Sequence, residues 1–110
     1  MANIDVPITE VTSDGVALAT PVVTVTGNDY LIQDNDGNVL LQIVNATGTA
    51  SWVDVIPTLE ASGFELASHR ITVPANKTTW AGPFPPFVFS SIVELNPDAA
   101  IALSLNGLRI

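Results

Sequence analysis

The most constraining feature of this chain is a series of short runs rich in β-branched residues, each closed by Gly, Pro, Asn or Asp. The runs fall at 22–26, 39–44, 52–56, 70–73, 78–80, 87–89 with 92–95, and 101–105. Short apolar runs bounded by turn residues are the signature of strands. Several alternate at period two, so Val53 and Val55 share one face while Trp52 and Asp54 share the other. Leu103 and Leu105 likewise face inward, against Ser104 and Asn106 outward. About seven or eight strands at this spacing predict an all-β fold, a single antiparallel β-sandwich or jelly roll. With 110 residues the chain has room for one domain with one core.

The punctuation supports the same reading. Asp34-Asn35-Asp36-Gly37-Asn38 predicts a hairpin, because Asp-Gly tolerates the positive φ of tight primed turns. Residues 45–48 and 74–77 predict two further turns. A single helical turn is expected over 57–63, closed by Gly63, with almost no helix elsewhere. Residues 1–20 stand apart from the sandwich proper, 21–110. Ile4, Val6, Ile8 and Val11 are apolar but interrupted by Asp5, Pro7, Glu10 and Ser13-Asp14-Gly15. That pattern fits an extended N-terminal arm or a first edge strand, and both stay open.

Composition narrows the partners. Three Lys and Arg against eleven Asp and Glu give a net charge of −8, which argues against direct nucleic-acid binding. The absence of Cys excludes disulfides, thiolate zinc clusters and thiol catalysis. Charged residues make up 13%, about half the usual ~25%, while hydrophobic ones reach 47%. So little charge on a small domain implies a surface of Ser, Thr and Asn, part of it covered by another protein. The uncharged stretch 80–93 holds three prolines and falls short of the ~20 residues that span a bilayer. The first residues show neither a basic nor an apolar leader region, so export is not expected. Asn45 and Asn76 sit in glycosylation acceptor patterns but read as turn residues.

No convincing catalytic constellation emerges. His69 is the single histidine, and no Gly-x-Ser-x-Gly elbow accompanies it. Residues 34–38 invite a calcium reading, yet Gly37 falls at the fourth position and Asn45 at the twelfth, against the sixth and twelfth of an EF-hand loop. A looser carboxylate site at Asp34 and Asp36 stays open beside the plain turn. In Ala81-Gly82-Pro83-Phe84-Pro85-Pro86-Phe87 three prolines stiffen a loop carrying two aromatics. Phe84 and Phe87 either form a preorganised contact or plug the end of the sandwich.

Taken in order, several of these elements resemble one family. They are Tyr30 to Ile32, Asn35 to Gly37, Leu40 to Asn45, Trp52 to Val55, Arg70-Ile-Thr-Val-Pro-Ala75, Gly82-Pro-Phe-Pro-Pro86 and the final strand ending in Leu108-Arg-Ile110. From about Asp29 onward the chain resembles the small β-sandwich virion proteins of tailed bacteriophages, of the head-decoration or cement type. The resemblance implies a structural protein without catalysis, cofactor or metal, bound to the major capsid protein lattice and to itself as a dimer or trimer. It implies a place on the outer capsid surface, reached from the host cytoplasm during assembly. On this reading Ile4, Val6 and Ile8 in the arm and Phe84 and Phe87 in the loop are the expected contacts. Alternatives are a head-tail joining or tail decoration protein, or a carbohydrate-binding module using Trp52 or Trp80 as a platform.

Overall fold

Period-two alternation becomes strands whose inward residues meet in one core. The computed structural model describes residues 3–17, 19–25, 28–57, 60–61, 64–65, 69–89, 91–98 and 100–110, the side chains of 60, 61, 64, 65 and 87 excepted. In order these form β1 (Asn3–Asp5), β2 (Ile8–Glu10), β3 (Val22–Val23), β4 (Asp29–Ile32), β5 (Val39–Val44) and β6 (Ser51–Ile56). There follow β7 (Glu60–Ala61), β8 (Phe64–Glu65), β9 (His69–Val73), β10 (Thr78–Ala81), a helical turn α1 (Pro86–Phe89), β11 (Val93–Pro97) and β12 (Ser104–Arg109).

Eight strands make the sandwich. The first sheet has the order β4-β11-β6-β9 and the second β10-β5-β12-β3, all pairs antiparallel. All but one of the connections between these eight, β6 to β9, pass from one sheet to the other. That is the jelly-roll order of strands. The inward stripes of β5 and β6 alternate buried and half-buried along their whole length. Ile32, Leu41, Ile43, Val53, Val55, Val93, Leu95, Leu103 and Leu105 are fully buried between the sheets. Burial of such a side chain contributes about 1.5–3 kcal/mol.

The N-terminal segment belongs to this body. β1 adds in parallel to β4, and β2 adds in parallel to β12, where β3 holds the other end of the same edge. Between them Val6 crosses from sheet to sheet, 3% exposed, its N–H donating to Leu31 O at 2.8 Å. The purely antiparallel expectation is therefore corrected by these two parallel pairs, and residues 3–10 are edge strands of both sheets.

Three other expectations are corrected. The turns at 34–38, 45–48 and 74–77 exist, but each joins strands of different sheets, so none closes a hairpin. Their flanking strands both send apolar side chains inward from opposite layers, which a hairpin within one sheet would not require. Of the segment 57–63, residues 58, 59, 62 and 63 lie outside the described ones, while Glu60–Ala61 pairs with Phe64–Glu65 as a strand rather than a helical turn. Residues 87–89 are helical rather than extended. Pro85 O accepts from both Val88 N and Phe89 N at 3.0 Å, and Pro86 suits a first helical position, where no N–H is needed.

The crossings are tied by buried polar side chains. Asn45, 1% exposed, donates through Nδ2 to Thr49 O (2.8 Å) and Val73 O (3.3 Å), and its Oδ1 accepts from Thr47 N (3.0 Å) and Thr47 Oγ1 (2.6 Å). Asn35 Nδ2 donates to Phe84 O at 2.9 Å and its Oδ1 accepts from Gly37 N at 3.2 Å. Buried Tyr30 accepts at its hydroxyl from Val25 N at 2.7 Å and donates to Val23 O at 3.3 Å.

Candidate binding face

The two outer faces of the sandwich differ in charge. On the first sheet the outward positions include Asp5, Asp29, Glu94 and Asp54, with Arg70 as the sole cation among them. Arg70 Nε donates to Asp54 Oδ1 at 2.9 Å and Nη2 to Oδ2 at 3.1 Å, a two-point pair on an exposed surface. The hydrogen bond that Arg70 donates to Asp54 raises the guanidinium pKa above its ordinary value, against a smaller opposing effect of burial. The same guanidinium lies 4.0 Å from the centre of the Trp52 ring and covers it. Trp52 is therefore a packed partner of Arg70 and not an open platform.

The second sheet's outward positions carry no charge. Leu40, Gln42 and Val44 of β5 stand beside Thr78 and Trp80 of β10 on one side and Ser104, Asn106 and Leu108 of β12 on the other. Asn106 is roofed by the segment after β2, its Nδ2 donating to Ala19 O at 2.9 Å. Among the described residues that leaves the β10–β5 half open. Trp80 is 48% exposed there, and Val23 is exposed at the β3 end. A large aromatic on a flat, uncharged, half-apolar surface favours contact with another surface over solvation.

The residues expected as contacts lie elsewhere. Val6 is in the core, and Ile4 and Ile8 pack against it half-buried. Phe84 is buried, its ring edge-to-face on Phe89 at 5.6 Å between centroids, so it plugs the end of the sandwich. Phe87 stands in α1, and its side chain lies outside the described ones. None of the three placed aliphatic residues, nor Phe84, forms an exposed patch; their apolar character serves this chain's own core.

The charged candidates also resolve. Asp36 Oδ1 accepts from Asn38 N at 3.0 Å, and Oδ2 lies 3.5 Å from Arg109 Nε. Arg109 also reaches Asp34 O at 2.7 Å and Glu10 Oε1 at 3.3 Å, so it clamps the 34–38 turn to β2. Among the described residues no group of three His, Asp or Glu is placed to hold a metal ion. His69 is exposed at the start of β9, beside Arg70. Among the described residues no helix is long and apolar enough to cross a membrane.

Sequence reasoning named Trp80 as a possible platform but missed the face around it. The signal was present: at period two, 40-42-44, 78-80 and 104-106-108 contain no ionisable residue. Only the pairing of β10, β5 and β12 shows that these three stripes lie side by side. Comparisons with protein-family models, with curated proteins and with solved structures returned no match.

Proposed function

We propose that this protein is a structural virion component that attaches by the uncharged outer face of its second sheet to the assembled capsid lattice and stabilises it. The observation that supports this most is the exposed Trp80 on a charge-free face of a chain with net charge −8. The jelly-roll order of strands is one that capsid-associated domains use, and the resemblance from Asp29 onward points the same way. A protein acting only on the assembled state stabilises it by RT ln(1 + [L]/Kd) at each site, and a repetitive lattice multiplies weak contacts. Such a role needs a rigid unit with a dry contact face, not a catalytic group. The contacts on this reading are Trp80, Leu40, Val44 and Val23, in place of Ile4, Val6, Ile8 and Phe84.

The test is co-sedimentation of the purified protein with phage heads stripped of it, followed by a heat challenge. Wild-type protein is expected to bind in many copies and raise the temperature at which heads release DNA. Trp80→Ala, folded by its unchanged unfolding midpoint, is expected to bind at least tenfold more weakly. Binding in about six or twelve copies instead indicates a neck or tail position, from the symmetry of closed rings. Exposed Trp80 on a flat face also supports a second reading as a carbohydrate-binding module. Saturable change of tryptophan emission on titration with glycans, lost in Trp80→Ala, would favour that reading and displace the first.

A further inference from the structure

Edge strands expose unpaired backbone groups, and proteins blunt them with charge, proline or cover. The sandwich has β9 and β10 as edges on one side and β1 and β2 on the other. β9 begins with His69 and Arg70, which blunt it. β10, Thr78-Thr-Trp-Ala81, holds no charge and no proline, and among the described residues it pairs with β5 alone.

The ladder shows which groups point outward. Asn45 N donates to Lys77 O at 3.0 Å, and the register continues through Thr79 opposite Ile43 and Ala81 opposite Leu41. In an antiparallel pair the residues bonded to the partner alternate with those directed away. Residues 77, 79 and 81 therefore face β5, and Thr78 and Trp80 present both N–H and C=O to the open side.

We propose that β10 is a self-association edge: two copies pair their β10 strands antiparallel about a two-fold axis at Thr79, fusing their second sheets into one. Thr78 of one copy then lies opposite Trp80 of the other, and the reverse, giving four backbone hydrogen bonds. This register is the one in which both outward-facing residues of each strand find partners. A centre at Trp80 would instead place Thr78 opposite Gly82, whose φ of 112° ends the strand. The pairing is isologous, as a two-fold contact must be.

Charge selects a second copy at this edge. Each chain carries −8, so two copies repel wherever acids meet. β10 and the outward positions of β5 beside it carry none, and Lys77, the residue just before β10, is a cation. Fusion brings the two Trp80 side chains to diagonal positions on one face, about 7–8 Å apart and within reach of aromatic rings. A four-residue strand pair buries less than the ~1,200 Å² of a stable complex, so the dimer is weak in free solution and strengthened where copies are held close. The inference is independent of which partner covers the face.

Sedimentation velocity of the full chain, over a concentration series extending to the millimolar range, tests it. Wild type is expected to move from monomer to dimer with rising concentration. Thr78→Pro removes one outward N–H and leaves the β5 ladder intact; it is expected to stay monomeric with an unchanged urea midpoint. Should that variant not fold, Thr78→Lys places like charges at diagonal positions without altering the backbone, and is expected to shift the midpoint of association upward at least tenfold. A wild type that stays monomeric throughout overturns the proposal. So does a folded Thr78→Pro or Thr78→Lys that dimerises as wild type does, which would place the contact on another surface. Loss of dimer with lattice binding retained leaves the proposed function standing, so the two fail separately.

Discussion

Replacing Asn45 by alanine tests whether the crossings between sheets are held by their buried amides. Asn45 makes four hydrogen bonds, to Thr47 N, Thr47 Oγ1, Thr49 O and Val73 O. A neutral hydrogen bond contributes about 1 kcal/mol net, and an orphaned buried acceptor costs about 1–3 kcal/mol. Thr49 and its surroundings are exposed, so water replaces the amide there. Val73 O is enclosed, between β9 and the β5–β6 crossing, and keeps the loss. The sum is about 2–3 kcal/mol. For 110 residues at ~2.1 cal/mol/K each, the unfolding entropy is about 230 cal/mol/K, so the loss lowers Tm by about 9–13 °C. Urea unfolding read by tryptophan emission should show a lower midpoint with an unchanged slope. Asn38→Ala, an exposed asparagine in the preceding crossing, should fall within about 0.5 kcal/mol of wild type. In a double-mutant cycle, Asn45→Ala and Thr47→Val should couple by at least ~0.5 kcal/mol, because their side chains meet at 2.6 Å. A loss below about 0.5 kcal/mol for Asn45→Ala would refute the reasoning, since the corner would then be held by strand packing alone.

Val6→Ala is expected to destabilise by about 2 kcal/mol in the same urea assay, from two lost methyl groups and the space they leave; a change near zero would mean that the N-terminal segment leaves the core in solution. At Gly107 an added Cβ would overlap Ile8 Cδ1 and sit 3.3 Å from Pro7 O, which also accepts from Gly107 N at 2.8 Å. Gly107→Ala should therefore cost about 1–3 kcal/mol, and Ile8→Val in the same chain should restore part of it. Arg70 has its folded pKa raised above the ordinary value, so its contribution is complete below that ordinary value and is lost only as pH rises through the raised one. Arg70→Gln should accordingly show the same pH profile of stability as wild type from pH 6 to 10, with Trp52 emission altered by loss of the overlying cation. Lattice binding through the charge-free face should vary little between low salt and 0.5 M salt, whereas use of the acidic first sheet would make it fall steeply.

Period-two alternation made the strands and their inward residues legible: Val53, Val55, Leu103 and Leu105 are where the pattern put them. The turns were legible as turns, because Gly37 and Asn76 do adopt positive φ. Their destination was not. A turn motif encodes local backbone geometry, and whether the next strand joins the same sheet depends on strands far along the chain, such as β12 beside β5. The N-terminal apolar residues show the same gap. Ile4, Val6 and Ile8 alternate as any half-buried strand does, and their partners, β4 and β12, lie about 25 and 100 residues away. A rigid proline-rich loop with Phe84 fits an exposed anchor and a buried plug equally; the decisive contact is Asn35 on its carbonyl, 49 residues earlier. The charge-free face was hidden for the opposite reason, since it consists of positions that an interior-seeking pattern discards.

β10 presents two interactions at right angles. Its side chains stand perpendicular to the sheet, so Trp80 and Thr78 face outward with Gln42 and Val44, while the N–H and C=O of the same two residues point in the sheet plane toward the open edge. A partner laid on the face uses the first set and leaves the second free. A copy joined at the edge uses the second and doubles the width of the first. Edge pairing would therefore enlarge the charge-free face instead of consuming it, and set two Trp80 rings diagonally across the seam where one stood alone. The acids of the opposite sheet remain on the far side of both molecules, where their repulsion opposes stacking through that face. Under the proposed pairing, one short uncharged strand would give an acidic chain a direction in which to associate and a surface that association makes larger.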